Sequence, residues 1–469
     1  MKRIKFGTDG WRAIIASDFT VENLSRLSLA TANWLMKKYQ EPLVIIGYDC
    51  RFGGEMFAST VAKVLASKGV RVLISERYTS TPAVSFSVIK YQAQLGVVIT
   101  ASHNPPEYNG YKLKGSYGGP LPDDDLRDIE NMIDYENQFD LDLIKYDQLL
   151  EKGIIRYENL DEVYIDHITN NFNIELLRKN ASSLAFDPMY GSGQNILPFI
   201  IPGINVIHGK QDYSFNNIPP EPLEKNLQEF CSYIKKRKSV RLGLAVDGDA
   251  DRIALVDEKG NYIDSHHIIL LLIHYLAGYK KEKGIIVTGF SSTVKVEKLA
   301  EYYRLPVIRV RIGFKQIAGY MIREDVLVGG EESGGISVKG HMPERDGIWM
   351  GLLIWEWMLE TGKSLSELIQ EVYKLTGSFA FARSDLSIDK DLKSRVMNLC
   401  VQEAYNEFGK YRVRNIEELD GYKFFFTDDS WLMIRPSGTE PILRTYAEAP
   451  TSKEVAEILK TAEEVIRKS

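Results

Sequence analysis

"RLGLAVDGDADR" (Arg241–Arg252) is an apolar run that breaks into three alternating aspartates. A continuous apolar run of this length, bounded by turn-forming residues, predicts a strand covered on both faces. Two further runs end in polar loops in the same way: "LGVVITASHNP" (Leu95–Pro105) and "DVLVGGEESGG" (Asp325–Gly335). Each is preceded, roughly 40 to 60 residues upstream, by another short apolar strand, a separation that suits a βαβ crossover. These earlier strands are "LVIIGYD" (Leu43–Asp49), "SLAFDP" (Ser183–Pro188) and "GIIVTGF" (Gly284–Phe290). The pattern predicts an α/β protein with a threefold internal repeat of a mixed-sheet domain. The unusual loop always follows the second strand of a pair. Ligands in open α/β sheets bind outside the carboxyl ends of strands, so the three loops are expected to converge on one cleft.

The end of the chain reads differently. "KFFFTDDSWLMIRPSGTEPILRTYAEA" (Lys423–Ala449) predicts a meander of short strands interrupted by one loop. "TSKEVAEILKTAEEVIRK" then predicts a helix whose Thr451 and Glu454 are spaced as a capping box. The expected organisation is three α/β domains at 1–149, 150–260 and 261–374, and a smaller C-terminal α+β domain at 375–469. A chain of 469 residues is long enough for several cores.

Composition narrows the function. The net charge of -6, with no Lys/Arg-rich run, argues against a nucleic-acid partner. Cys50, Cys231 and Cys400 lie far apart and form no thiolate metal motif. The opening "MKRIKFGTDGW" has no apolar core of a signal peptide. "IILLLIHYLAG" (Ile268–Gly278) and "IWMGLLIWEWML" (Ile348–Leu359) fall short of the about 20 residues needed to span a bilayer. They read as core helices, and a cytoplasmic location with no membrane partner is expected.

Each loop carries its own chemistry. Asp247, Asp249 and Asp251 offer hard oxygen ligands for Mg²⁺, Mn²⁺ or Ca²⁺. A calcium EF-hand is excluded, because Arg252 occupies the position that needs glycine and a strand precedes the loop. "RPSGTEP" (Arg435–Pro441) combines a guanidinium, hydroxyls and a glycine turn, the elements of a phosphate cradle. "GGEESGG" (Gly329–Gly335) places Glu331 and Ser333 on a glycine-flanked turn suited to sugar hydroxyls. "HMPERDG" (His341–Gly347) follows closely enough to share that site. In "TASHNP" (Thr100–Pro105), Ser102 lacks the G-x-S-x-G setting of a serine hydrolase, and the adjacent His103 is badly placed as a triad base. Lys112 is the better source of charge or proton transfer near that loop.

The four loops, in this order, resemble the α-D-phosphohexomutase family of phosphoglucomutases, phosphomannomutases and phosphoglucosamine mutases. The resemblance covers the chain from "GTDGWR" (Gly7–Arg12) to "RPSGTEP". It implies three similar α/β domains plus a smaller C-terminal one around a central cleft. It also implies a role for each motif residue. Ser102 matches the serine phosphorylated in the active enzyme, and Asp247, Asp249 and Asp251 match the Mg²⁺ ligands, with the phosphoserine adding an oxygen. Glu331 and Ser333 match the sugar-binding pair, with His341 and Arg345 beside them. Arg435, Ser437, Gly438 and Thr439 match the phosphate-binding loop. Arg12, Lys112 and Arg252 match positions around the reacting phosphate.

The motifs look most like phosphoglucomutases, where the second usually reads H-x-x-E-K-D-G. Arg345 replaces that lysine, and Gly335 replaces a histidine common in bacterial phosphomannomutases and phosphoglucosamine mutases. Arginine keeps the charge but cannot exchange a proton at neutral pH, so Lys112 becomes the preferred proton carrier. The implied reaction interconverts hexose 1-phosphate and hexose 6-phosphate, glucose first and mannose second. It passes through a hexose 1,6-bisphosphate that also serves as activator. The expected partners are hexose phosphates, and the expected state is a monomer or homodimer. The alternatives are a phosphoglucosamine mutase, a haloacid-dehalogenase-like phosphatase using Asp247 as nucleophile, and a non-enzymatic sugar-phosphate-binding protein. In the dehalogenase-like family the D-x-D is usually followed two residues on by Thr or Val, where this chain has Asp251.

Overall fold

The computed structural model describes residues 4–134, 136, 140–437 and 442–469. Two compact units emerge, 1–287 with 313–369 and 288–312 with 370–469. The first sheet contains β1 (Trp11–Ile14), β2 (Leu43–Tyr48), β3 (Arg71–Ser75), β4 (Leu95–Ile99), β5 (Tyr108–Gly115) and β6 (Ile155–Glu158), ordered β1-β5-β4-β2-β3-β6. The second contains β7 (Leu184–Asp187), β8 (Asn205–Val206), β9 (Leu242–Val246), β10 (Ile253–Asp257) and β11 (Tyr262–Ile263), ordered β11-β10-β9-β7-β8. The third, from β12 (Ile285–Gly289), β13 (Val307–Val310), β14 (Val326–Gly330) and β15 (Ile336–Val338), is ordered β13-β12-β14-β15.

Set side by side, these orders contain one motif. Strands β5-β4-β2-β3, β10-β9-β7-β8 and β15-β14-β12-β13 occupy the same four places. The expected threefold repeat is therefore present as topology. In the first two sheets the inner pairs are parallel, β2 with β4 and β7 with β9. The neighbour that follows is antiparallel in all three: β4 with β5, β9 with β10 and β14 with β15. Each unusual loop is thus the turn of a β-hairpin leaving a central strand. Strands β4, β9 and β14 are buried along their whole length, as their unbroken apolar runs require.

Helices cover these sheets and begin where the sequence supplies caps. Ser80 caps Thr81–Lys90, with a proline in its first turn, and Asp346 caps Gly347–Thr361 by accepting a bond from the Trp349 N–H. The latter holds "IWMGLLIWEWML" as a core helix with its tryptophans buried. "IILLLIHYLAG" is likewise a buried helix, Ser265–Ile273, prolonged by a π turn. No helix among the described residues is long and apolar enough to cross a membrane.

In the other unit, β16 (Ala380–Ser387), β17 (Glu407–Phe408), β18 (Tyr411–Glu418), β19 (Tyr422–Phe426), β20 (Trp431–Pro436) and β21 (Ile442–Ala449) form an antiparallel sheet ordered β16-β21-β20-β19-β18-β17. Helix Ser452–Lys468 packs on β16 and β21 with Val455, Ile458, Ala462 and Ile466 inward. Its Thr451 hydroxyl accepts from the Glu454 N–H at 3.3 Å and donates to that carboxylate at 2.7 Å, so Thr451 caps the helix.

Candidate active site

Ser102 sits in the turn between β4 and β5, fully buried, with φ +52. That left-handed conformation costs a non-glycine residue on the order of 1–3 kcal/mol and points to a functional constraint. It aims the hydroxyl at the second sheet: Ser102 Oγ donates to Asp247 Oδ2 at 2.6 Å. Gly248 is a glycine because a Cβ there would meet the Ser102 carbonyl oxygen at 2.6 Å. His103 Nδ1 lies 3.4 Å from Ser102 Oγ. Burial and the cations Arg252 and Arg12 hold that imidazole well below its usual pKa, so it is neutral at pH 7.

Asp247, Asp249 and Asp251 are all buried, and one oxygen from each falls within 4.8 Å of the others. Burial, then the charges of Asp249 and Asp251, push the Asp247 carboxyl well above its ordinary range. Asp249 is different: burial would raise it too, but Lys112 and the Thr81 hydroxyl draw it down. Lys112 reaches Asp249 at 2.8 Å and Asp251 at 3.0 Å, and Arg345 reaches Asp251 at 2.6 Å. The opposite oxygens, Asp249 Oδ1 and Asp251 Oδ1, are buried with no hydrogen-bond partner. A hard divalent cation would satisfy such orphaned oxygens, and the donor set fits Mg²⁺.

The cations around the triad are equally organised. Asp9, from the "GTDGWR" motif, binds Lys112 at 2.9 Å, Arg345 at 2.5 Å and Arg12 at 3.3 Å. Burial opposes ionisation of Asp9, yet Arg345, Lys112, Lys114 and Arg12 hold its carboxyl well below normal. Burial would also weaken the Lys112 ammonium, but Asp249, Asp251 and Asp9 outweigh it and lift its pKa. The sequence offers Lys112 for charge or proton transfer, and its ammonium is here paired with Asp9, Asp249 and Asp251. Arg12 also donates to Asn104 Oδ1 at 2.7 Å, and Arg252 to Glu221 at 3.2 Å.

The third loop joins the same assembly, since the Ile253 N–H donates to Gly334 O at 3.1 Å and the Gly347 N–H to Ala250 O at 3.0 Å. Glu331 is 4% exposed and accepts the Gly313 N–H at 2.6 Å. Burial, then the neighbouring charge of Glu332, raises its pKa to about 7. Ser333 is half-buried on the turn. The His341 ring is committed elsewhere: Nε2 lies 2.9 Å from Asp346 Oδ2, and the ring stacks on Trp349 at 4.0 Å. Arg345 packs its side chain across Gly335. Ser102, Lys112, Arg12, Arg252, the three aspartates, Glu331 and Arg345 are thus gathered within one unit.

In the other unit, Arg435 Nε donates to Asp420 at 3.1 Å, and the Ser437 carbonyl accepts from Lys393 Nζ at 2.6 Å. Gly438 and Thr439 lie outside the described residues.

Sequence reading missed Asp9, Asp49, Arg51 and the buried pair Lys114–Glu344. Asp49 and Arg51 follow the first strand of their repeat, also a carboxyl end, and that position was the available signal.

Models of the phosphoglucomutase/phosphomannomutase α/β/α domains I, II and III match residues 3–139, 162–260 and 264–376, and the model of the C-terminal domain matches 392–465. The chain belongs to this family of phosphohexomutases. It is 31% identical to a phosphoglucomutase/phosphomannomutase of Thermococcus kodakarensis over 97% of this chain and 96% of the relative. A Pyrococcus abyssi relative named "probable phosphoglucosamine mutase" is 30% identical over 98% of this chain and 97% of its own length. Among solved structures, that of a "putative phosphomannomutase" from Thermus thermophilus superposes with a TM-score of 0.87 at 30% identity, covering 99% of each chain. The protein is accordingly a mutase acting by phosphoryl transfer on sugar phosphates, and the reading as an Asp247-nucleophile phosphatase is set aside.

Proposed function

We propose that the protein interconverts hexose 1-phosphate and hexose 6-phosphate, with glucose the first substrate and mannose the second, through a phosphoserine at Ser102. The 2.6 Å contact between Ser102 Oγ and Asp247 carries this reading, since it aims the buried serine of "TASHNP" at the carboxylate triad. In the first step the phosphoserine Oγ–P bond breaks as a P–O bond forms to a free sugar hydroxyl, whose proton leaves to a base. The resulting bisphosphate turns, its other O–P bond breaks as the phosphoryl group returns to Ser102 Oγ, and the sugar oxygen left behind takes the proton back from the base. Phosphoryl transfer depends on positioning and charge neutralisation. Lys112, Arg12, Arg252 and Arg345 supply fixed positive charge around that point. Asp247, Asp249 and Asp251 would hold Mg²⁺, which adds further neutralisation of the transferring group when bound. Glu331, with a pKa of about 7, is matched to exchanging a proton with a sugar hydroxyl at neutral pH. Arg435 and the loop after it are the proposed anchor for the non-reacting phosphate. A 1,6-bisphosphate is the proposed activator, because it can phosphorylate Ser102.

A second reading, glucosamine phosphate, is favoured by the several relatives named as phosphoglucosamine mutases. Coupled assays on glucose, mannose and glucosamine 1-phosphates rank the substrates. Ser102→Ala is expected to lose mutase activity by several orders of magnitude. Near-normal turnover by that variant would remove the phosphoserine mechanism.

A further inference from the structure

Arg51 is fully buried at the end of β2, and each of its five side-chain N–H groups has an acceptor. Nε binds Asp49 Oδ2 at 3.1 Å. Nη2 binds the carbonyls of Ser102 at 2.6 Å and Asn104 at 2.7 Å. Nη1 binds the carbonyls of Pro105 at 2.8 Å and Tyr108 at 3.1 Å. Four carbonyls, three of "TASHNP" and that of Tyr108 at the start of β5, are therefore drawn onto one guanidinium, which also lies 4.9 Å from the Phe215 ring. The Ser102 N–H donates to Thr100 Oγ1 at 2.8 Å, and the Thr100 hydroxyl donates to Asp49 Oδ2 at 2.5 Å.

These bonds close a ring. It runs from the Ser102 N–H to Thr100, to Asp49, to Arg51 and back to the Ser102 carbonyl. We propose that Asp49, Arg51 and Thr100 are positioning residues that hold the Ser102 backbone by both its N–H and its C=O. This grip keeps the residue left-handed and Oγ aimed at Asp247. The inference rests on Ser102 being the phosphoryl carrier. Released from the ring, Ser102 would relax toward the right-handed or extended conformations that non-glycine residues prefer. Its oxygen would then leave the line along which the phosphoryl group must travel. The grip acts on the Ser102 backbone and leaves Oγ to Asp247. It therefore serves both half-reactions equally, whichever sugar oxygen is presented.

The test uses Thr100→Val, an exchange of nearly equal shape that removes the hydroxyl linking two sides of the ring, with Thr100→Ser as the restoring variant. Thr100→Val is expected to lower kcat by about tenfold or more, with KM for the hexose 1-phosphate moving less than about twofold. Thr100→Ser should recover to within about threefold of the parent rate. Phosphate on Ser102, read by mass spectrometry after incubation with glucose 1,6-bisphosphate, should fall in the valine variant and return in the serine variant. Arg51→Lys, which keeps the charge and loses the fork, should behave like Thr100→Val or worse. If it does not fold, the threonine pair still decides. A parent-like kcat and parent-like phosphorylation in Thr100→Val overturn the proposal, even if its melting temperature drops. That result beside an inactive Ser102→Ala sinks the ring alone. An active Ser102→Ala sinks the phosphoserine reading itself.

Discussion

Gly335 and Arg345 should behave as one position. A Cβ built on Gly335 falls 2.9 Å from Arg345 Cγ and closer still to Cδ. Comfortable carbon contacts begin near 3.5 Å, so Cγ alone must withdraw by about 0.6 Å. The arginine has no free end with which to do so. Its head is bound to Asp251 at 2.6 Å and Asp9 at 2.5 Å, and its N–H to Glu344 at 2.9 Å. Overpacking of this kind costs about 1–3 kcal/mol, and a charge-assisted bond about 1.5–3 kcal/mol if the head lets go instead. Taking about 2–3 kcal/mol, Gly335→Ala should lower kcat/KM by roughly 30- to 150-fold. Arg345→Ala removes the obstructing Cγ and Cδ together with the charged head. Adding Gly335→Ala to it should then cost little. The assay is kcat/KM for the four members of the cycle at fixed Mg²⁺ and bisphosphate activator. The expected coupling is about 2 kcal/mol, the range seen for residues in contact. Additivity within about 0.5 kcal/mol would refute the clash, because independent sites add to that tolerance.

Two further outcomes follow from the charges. Burial favours the protonated Glu331 in the folded protein, so its contribution to stability is complete below about pH 4.5 and is lost as pH rises toward 7. A rise from 4.5 to about 7 corresponds to roughly 3 kcal/mol. Glu331→Gln should therefore gain stability relative to the parent between pH 4.5 and 7, and parallel melting curves across that range would contradict it. Mg²⁺ at about a hundred times its dissociation constant should stabilise the parent by about 2.7 kcal/mol. Asp247→Asn should lose most of that increment in thermal unfolding, and an unchanged response would remove Asp247 from the cation site.

Much of the site was legible because its loops follow apolar strands and carry residue types rare in ordinary turns. Three aspartates alternating after "RLGLAV" have few readings, and the hairpin between β9 and β10 presents them as a set. Partnership was not legible. Lys112 reads as a source of charge or proton transfer, but the three carboxylates around it, from positions 9, 249 and 251, come together only in three dimensions. His341 reads as a sugar ligand until Trp349 and Asp346 are seen to enclose its ring. Arg51 lies three residues past β2, and the four carbonyls it binds lie 51 to 57 residues away. No local pattern reports contacts of that range. Gly335 could be seen as a departure from a motif, but its cause, the Arg345 side chain lying across it, exists only in three dimensions.

The bonds that assemble the site also hold the sheets in register. Ser102 of the first sheet binds Asp247 of the second, and Lys112 on β5 binds Asp249 and Asp251. Thr81, at the start of a helix over the first sheet, binds Asp249 at 2.6 Å. Arg345, on the segment after β15, binds Asp251 in one direction and Asp9 in the other. Lys114 on β5 pairs with Glu344 beside it, both fully buried. Buried ion pairs of this kind add little net stability over apolar packing, but misalignment is heavily penalised because each partner then stands uncompensated. Three carboxylates from one loop would repel one another, and the first sheet and the segment after β15 supply the cations that offset them. No single repeat can therefore hold this set of carboxylates and cations alone. The charges that would neutralise a transferring phosphoryl group are the same charges that join the first sheet, the β9–β10 hairpin and the segment after β15.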